Sequence, residues 1–225
     1  MNLLAIDTCT EVCSVSLYSG NIKIDRFVKG VEKSSGLILP LCDEVLEEAS
    51  LGISDLDGIV YTRGPGAFTG VRICIGVVQG ISFANNLPTL GFSTLEVLGY
   101  GARKKYNSEK VAIAIDARMG EVYWGYYQDN ILHNESLKKP NEVDTLGDTY
   151  IGVGTGWSTY KELPLKSGIE NYKLDFYPQA TYLIDLALES IDSGIKMSNG
   201  PVMPVYLRDN VAHKLLKYCF IVLTK

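Results

Sequence analysis

Apolar positions gather in two stretches that resemble each other. The first, "LLAIDTCTEVCSVSLYSGNI", begins at Leu3, and the second, "AIAIDARMGEVYWGYYQDNI", begins at Ala112. Each predicts a strand, a turn after an Ile-Asp pair, a second strand and a polar tip, because apolar runs bounded by turn residues are the signature of a hairpin. Aligned without a gap, Asp7 falls on Asp116, Ile6 on Ile115, Tyr18 on Tyr127, Asn21 on Asn130 and Ile22 on Ile131, all at an offset of 109. An internal repeat near half the chain length implies a duplicated lobe. The charged stretch "RKKYNSEK", 103–110, is the expected boundary, giving lobes 1–106 and 107–225.

Between and after these hairpins the period changes. "SSGLILPLCDEVLEEA", 34–49, repeats its apolar residues at helical spacing, with Ser34 or Ser35 as the expected cap. "DGIVYT" reads as a buried strand, 66–86 as a helix, "LPTLGF" as a strand and "STLEVLGYGARKK" as a helix. Later, "YIGVGTG" predicts a strand and glycine turn, 178–191 a helix, and "PVMPVYLR" an extended segment. Strands alternating with helices imply an α/β fold. The aromatic run Tyr123, Trp124, Tyr126 and Tyr127 fits a strand covered on both faces better than a base-stacking platform.

Helices 36–49 and 66–84 carry apolar residues around most of their circumference, where a surface helix shows one stripe. Two apolar faces imply burial on both sides, either within the domain or against a partner, and with only 225 residues to cover both helices a partner interface is the expectation. Leu37, Ile38, Leu41 and Val45 on one helix, and Phe68, Val71, Ile75 and Val78 on the other, are the candidate interface residues. Gly76 and Gly80 would admit a second helix closely.

Composition narrows the partners. With 225 residues and 46% hydrophobic, the chain can bury a sizeable core, and its net charge of −5 is unlike that of a stand-alone nucleic-acid binder. The five cysteines, Cys9, Cys13, Cys42, Cys74 and Cys219, form no CxxC, which points to free thiols in a reducing, cytoplasmic setting. "MNLLAIDT" lacks the pattern of a signal peptide, and "YCFIVLT", 218–224, is too short to span a bilayer, so no membrane role is expected.

The stretch "TRGPGAFTGVR", 62–72, resembles a phosphate loop without matching one. A P-loop needs GxxxxGK[ST], whereas Gly64 and Gly70 are separated by five residues and followed by Val71-Arg72. Gly64, Gly66 and Gly70 also fail the GxGxxG spacing. Two readings remain: an anion held at a helix N-terminus, or a tight turn in which Gly64 and Gly66 supply unusual φ values and Pro65 fixes one. Asp7, Thr8 and Asp116, each at the end of an apolar strand, are candidate nucleotide or anion contacts, or else strand-ending turn residues. The two histidines, His133 and His213, form no metal-binding spacing.

"LLAIDTCTEVCSVSL", "RGPGAFTGVRICIG", "IDARMGEVYWGYY" and "PVYLRDNVA" together resemble the bacterial TsaB family, also called YeaZ, in order along nearly the whole chain. The resemblance makes Gly64, Pro65, Gly66, Phe68, Thr69 and Gly70 a family signature. It implies two duplicated lobes of the actin/sugar-kinase/Hsp70 ATPase-like, ribonuclease H-like fold. It also implies a non-catalytic subunit in the formation of N6-threonylcarbamoyladenosine in tRNA. The implied partners are a catalytic TsaD-like paralogue and a TsaE-like ATPase, with a homodimer when alone and tRNA bound only through the complex. No cofactor of its own is implied, with ATP or ADP at subunit boundaries of the complex. The HxxxH metal pair of TsaD-like proteins aligns here with Thr94 and Leu98, which cannot replace imidazoles. The alternative is a weak ATPase or phosphotransferase of the same fold using Asp7, Thr8 and Asp116; a protease lacks both metal pair and nucleophile.

Overall fold

The computed structural model describes residues 1–30 and 34–208. The first half begins with an antiparallel meander, β1 (Asn2–Asp7), β2 (Val12–Ser19) and β3 (Ile22–Lys29). Helix α1 (Ile38–Glu48) leads to β4 (Gly58–Thr62), α2 (Phe68–Asn85), β5 (Thr89–Phe92) and α3 (Thr94–Tyr106). The second half repeats the meander as β6 (Lys110–Asp116), β7 (Val122–Gln128) and β8 (Ile131–Lys138). It continues through β9 (Ile151–Val153), the short α4 (Gly156–Thr159) and α5 (Glu162–Ser167), β10 (Tyr172–Lys173) and α6 (Ala180–Asp192).

Each half forms one five-stranded mixed sheet, in the orders β3-β2-β1-β4-β5 and β8-β7-β6-β9-β10. In both sheets the meander is antiparallel and the last two strands join in parallel. Matching order and polarity in the two sheets realise the duplication read from the sequence. The hairpin tips repeat too: Asn21, Asp129 and Asn130 all have positive φ, the left-handed backbone that tight hairpins require.

Helices α1 and α2 cover one face of the first sheet. Ile38, Val45, Cys74 and Val78 meet Leu4, Ile6, Val15 and Ile59 in a single core. The other face is covered across the halves. Helix α6, from the second half, lies on β1, β2 and β4, while α3, from the first half, lies on β6 and β7. These two helices share one core between the sheets, with Leu3, Ala5 and Val60 on one side and Val111, Ile113 and Tyr127 on the other. Gly99 admits α3 to this position, since a Cβ there would stand 2.6 Å from the Tyr127 side chain. Ser14 Oγ accepts the Ala180 amide at 2.9 Å, and Lys23–Asp185 (2.8 Å) and Lys29–Asp175 (2.9 Å) also join the halves. The expected boundary at 103–110 therefore marks the chain's passage between sheets, not a division of the core.

The aromatic run lies on β7, with both faces covered as expected. Trp124 faces a core with Val143, Trp157 and Leu163, and Tyr127 faces the inter-sheet core. One expectation fails locally. Neither Ser34 nor Ser35 caps α1: a 3-10 turn spans Ser34–Gly36, and Leu37 stands at the N-cap without a side-chain hydrogen bond. Segment 201–208 has no helix or strand, in line with the extended reading.

Candidate functional site

The glycine stretch is a strand-to-helix turn packed against the β1–β2 turn. Gly64 has φ +96°, and the Gly64–Pro65 peptide is cis. Gly66 does not need positive φ, contrary to the expectation; its role is close approach. A Cβ on Gly66 would lie 1.9 Å from the Cys9 carbonyl oxygen, and one on Gly70 would lie 2.1 Å from that of Thr8. The Ala67 amide donates to the Cys9 carbonyl at 2.7 Å, and Thr8 Oγ1 donates to the Gly70 carbonyl at 2.8 Å. Hence this turn's glycines are used to seat α2 against its own lobe. Phe68 and Thr69 are exposed at the mouth of the turn.

Asp7 ends β1 in the first half, with Thr8 next to it, and Asp116 ends the equivalent β6 in the second. Asp7 and Thr8 are fully buried and present no surface to a ligand. Asp7 Oδ1 accepts the Cys9 amide at 3.0 Å and the Thr62 hydroxyl, and its Oδ2 has no partner among the described residues. Burial pushes the Asp7 carboxyl above its ordinary range, against the opposing effect of those hydrogen bonds. Asp116, in the other lobe, accepts the Arg118 amide and the Tyr160 hydroxyl, each at 2.8 Å, and pairs with the Arg118 guanidinium at 2.9 Å. Burial and then the Asp116 hydrogen bond push Tyr160 to about 12. Asp116 is thus engaged within its own lobe, whereas Asp7 keeps one carboxylate oxygen unpaired among the described residues. Thr94 and Leu98 are both buried in the inter-sheet core.

The interface residues need correction. Ile38, Leu41, Val45, Val71, Ile75 and Val78 are all buried beneath α1 and α2, and Leu37 packs against the same core. A side chain already enclosed by its own sheet cannot also meet a partner. Of the eight, only Phe68 is exposed, at 55%. The outward face of α2 carries Arg72, Gly76, Gln79, Gly80 and Phe83 instead, and α1 turns Leu39 outward. Phe83 is 91% exposed, and a Cβ on Gly76 or Gly80 would meet none of the described residues within 4 Å. Beside this face, a groove of about 660 Å³ runs between α2 and the chain at Asn199–Val202. Helix α2 also has the length and apolarity to cross a bilayer, with only 28% of it buried. One side of this helix is enclosed by its own lobe, and the other, mixed in polarity, is covered by no described residue. The sequence signal for the open side was the Gly76–Gly80 pair, since no side chain there reaches the core.

Comparison with known proteins places the chain among close relatives. Residues 31–215 match the family described as TsaD, tRNA N6-adenosine threonylcarbamoyltransferase. A protein named tRNA threonylcarbamoyladenosine biosynthesis protein TsaB, from Escherichia coli K12, is 37% identical over 96% of this chain and 98% of its own length. The Haemophilus influenzae protein of the same name is 32% identical over 96% and 97%. The solved structure of YeaZ from Pseudomonas aeruginosa superposes with a TM-score of 0.83 at 37% identity, covering 92% of this chain and 99% of that one.

Proposed function

The chain belongs to the TsaB family, named for tRNA threonylcarbamoyladenosine biosynthesis, and from that premise we propose that it acts there as a non-catalytic scaffold. Its outer α2 face docks a TsaD-like catalytic paralogue, and a second copy of this chain takes that face when the protein is alone. A TsaE-like ATPase joins the assembled pair, tRNA is bound through the complex, and ATP or ADP sits at subunit boundaries. The setting is the cytoplasm.

The observation that carries this reading is the side of α2 that no described residue covers, where Phe83 is 91% exposed beside two glycines with open space above them. Exposed Phe68 and Phe83, with Gly76 and Gly80 between them, give this face its apolar part beside the polar Arg72 and Gln79, and exposed apolar side chains grouped on a folded domain support an interaction surface. Small residues let a second helix approach closely, and the apolar area removed from water stabilises the contact by about 25 cal/mol per Å². Burying α2 would favour one arrangement of the catalytic partner, a population shift requiring no chemistry from this chain. The net charge of −5 supports leaving the RNA to other subunits.

The test is a pull-down with the TsaD-like paralogue, using Phe83→Asp and Gly80→Leu. Both positions face solvent, so the variants should fold as the parent does. Loss of capture by both, with loss of tRNA modification in a reconstituted system lacking only this chain, is the expected result. Capture at parental levels by both would place the docking surface elsewhere.

A further inference from the structure

The segment 201–208 crosses from one lobe to the other. Near its start, the Val202 carbonyl accepts Gln79 Nε2 of α2 at 2.8 Å. The Val205 amide then donates to the Arg63 carbonyl at 2.8 Å, alongside the glycine turn. Tyr206 faces Phe68 with ring centroids 6.5 Å apart, and the Arg72 guanidinium lies 3.2 Å from the Phe68 ring centroid. At its end, Arg208 reaches the β6–β7 turn of the second lobe. Its Nη2 donates to the Ala117 carbonyl at 2.9 Å and the Arg118 carbonyl at 3.3 Å, and pairs with Glu121 at 2.7 Å; Nη1 lies 3.1 Å from the Met119 sulfur.

Duplication gives these contacts a meaning. Cys9 in the β1–β2 turn corresponds to Arg118 in the β6–β7 turn at the offset of 109. The Cys9 carbonyl is held by the Ala67 amide of the glycine turn, and the Arg118 carbonyl is held by Arg208. Equivalent carbonyls in the two lobes thus have different donors, and the segment carrying the second donor is itself bonded to the glycine turn that supplies the first. The second turn also needs holding. Arg118, Met119 and Gly120 all have positive φ, at +62°, +58° and +78°, a conformation that non-glycine residues adopt at a cost.

We propose that Arg208 and its strap clamp the two duplicated turns together, so that the glycine turn and the β6–β7 turn behave as one rigid unit spanning both lobes. Arg208 is a positioning residue in this device: it keeps the strained turn folded and ties it to the base of α2. The clamp stands on its own contacts and does not require that α2 dock a partner.

Hydrogen exchange with mass spectrometry on the full chain tests it. In Arg208→Ala, exchange should accelerate about tenfold or more, as loss of charge-assisted hydrogen bonds implies, at 117–122, 201–207 and 63–70 together. Helix α6 should keep its parental rate. Arg208→Lys, which keeps the charge without the fork, should fall between. Acceleration confined to 201–207 would show a tail anchored at one end and overturn the clamp. So would uniform acceleration that includes α6. Should Arg208→Ala fail to fold, Glu121→Gln decides: the same three segments must accelerate together by a smaller factor, and parental rates there would refute the proposal.

Discussion

Two glycines on one helix should respond to the same substitution with opposite signs. Helix α2 places Gly70 against the β1–β2 turn and Gly76 toward solvent. In Gly70→Ala the new methyl would lie 2.1 Å from the Thr8 carbonyl oxygen, where real Cβ atoms essentially never approach within 3.0 Å. The obstacle is backbone at the end of a central strand, so α2 or β1 must shift by about 1 Å, an overpacking that costs about 1–3 kcal/mol. The same shift loosens the 2.8 Å hydrogen bond from Thr8 Oγ1 to the Gly70 carbonyl, worth about 1 kcal/mol. Better helix propensity returns about 1 kcal/mol. The net expectation is a loss of about 1–3 kcal/mol, or roughly 2–12 °C in Tm for a chain of this size. Gly76→Ala meets none of the described residues within 4 Å, so only the propensity gain remains, about 0.8–1 kcal/mol of added stability. Urea titration and calorimetry of the three proteins measure both values. Equal signs, or a Gly70→Ala variant as stable as the parent, would refute the claim that this glycine exists for close packing. The association assay adds a second arm. Gly76→Ala should bind the paralogue more weakly although it folds more stably, because its methyl stands on the docking face.

Other expectations follow from the same geometry. Val78→Asp should destabilise the protein by on the order of 3–5 kcal/mol, because it buries an unpaired carboxylate in the core with Ile6 and Ile59. Phe83→Asp should leave the urea midpoint nearly unchanged, and matching midpoints for the two variants would contradict the assigned faces. Asp7 has its folded pKa raised by burial, so its stabilising contribution is complete below its unfolded pKa of about 3.9 and is lost as pH rises through the folded value. Asp7→Asn should therefore flatten the decline of unfolding free energy with pH above about 4, and an unaltered slope would count against a raised pKa. Burial pushes the thiols of Cys13 and Cys42 up to about 11 and about 12. Both should resist a thiol reagent at pH 8 in the folded protein and react in urea; fast reaction while folded would show that the α1 core opens readily.

Much of this architecture is written locally. Apolar runs bounded by turn residues fixed β1–β2 and β6–β7, and Asn21, Asp129 and Asn130 fixed the tips of β2–β3 and β7–β8, because strand pattern and turn chemistry depend on adjacent residues alone. The shared offset of 109 then announced two lobes, and the failed spacing of Gly64, Gly66 and Gly70 separated this turn from a phosphate loop. The motifs also carried the family. What the sequence left undecided was every choice between equivalent sides. Helix α1 shows its inner face, since Asp43, Glu44, Glu47 and Glu48 line its outer one, but α2 is apolar over most of its circumference, so periodicity does not say which of its faces meets the sheet. The face was decided where Gly70 meets the Thr8 carbonyl and Gly66 that of Cys9, contacts between residues about sixty positions apart. In the same way, α3 and α6 lie on each other's sheets, and Arg208 finds its carbonyls about ninety residues back. Local pattern sets the state of a segment; its neighbours are set by which backbone surfaces fit together, and that fit exists only after the chain has folded.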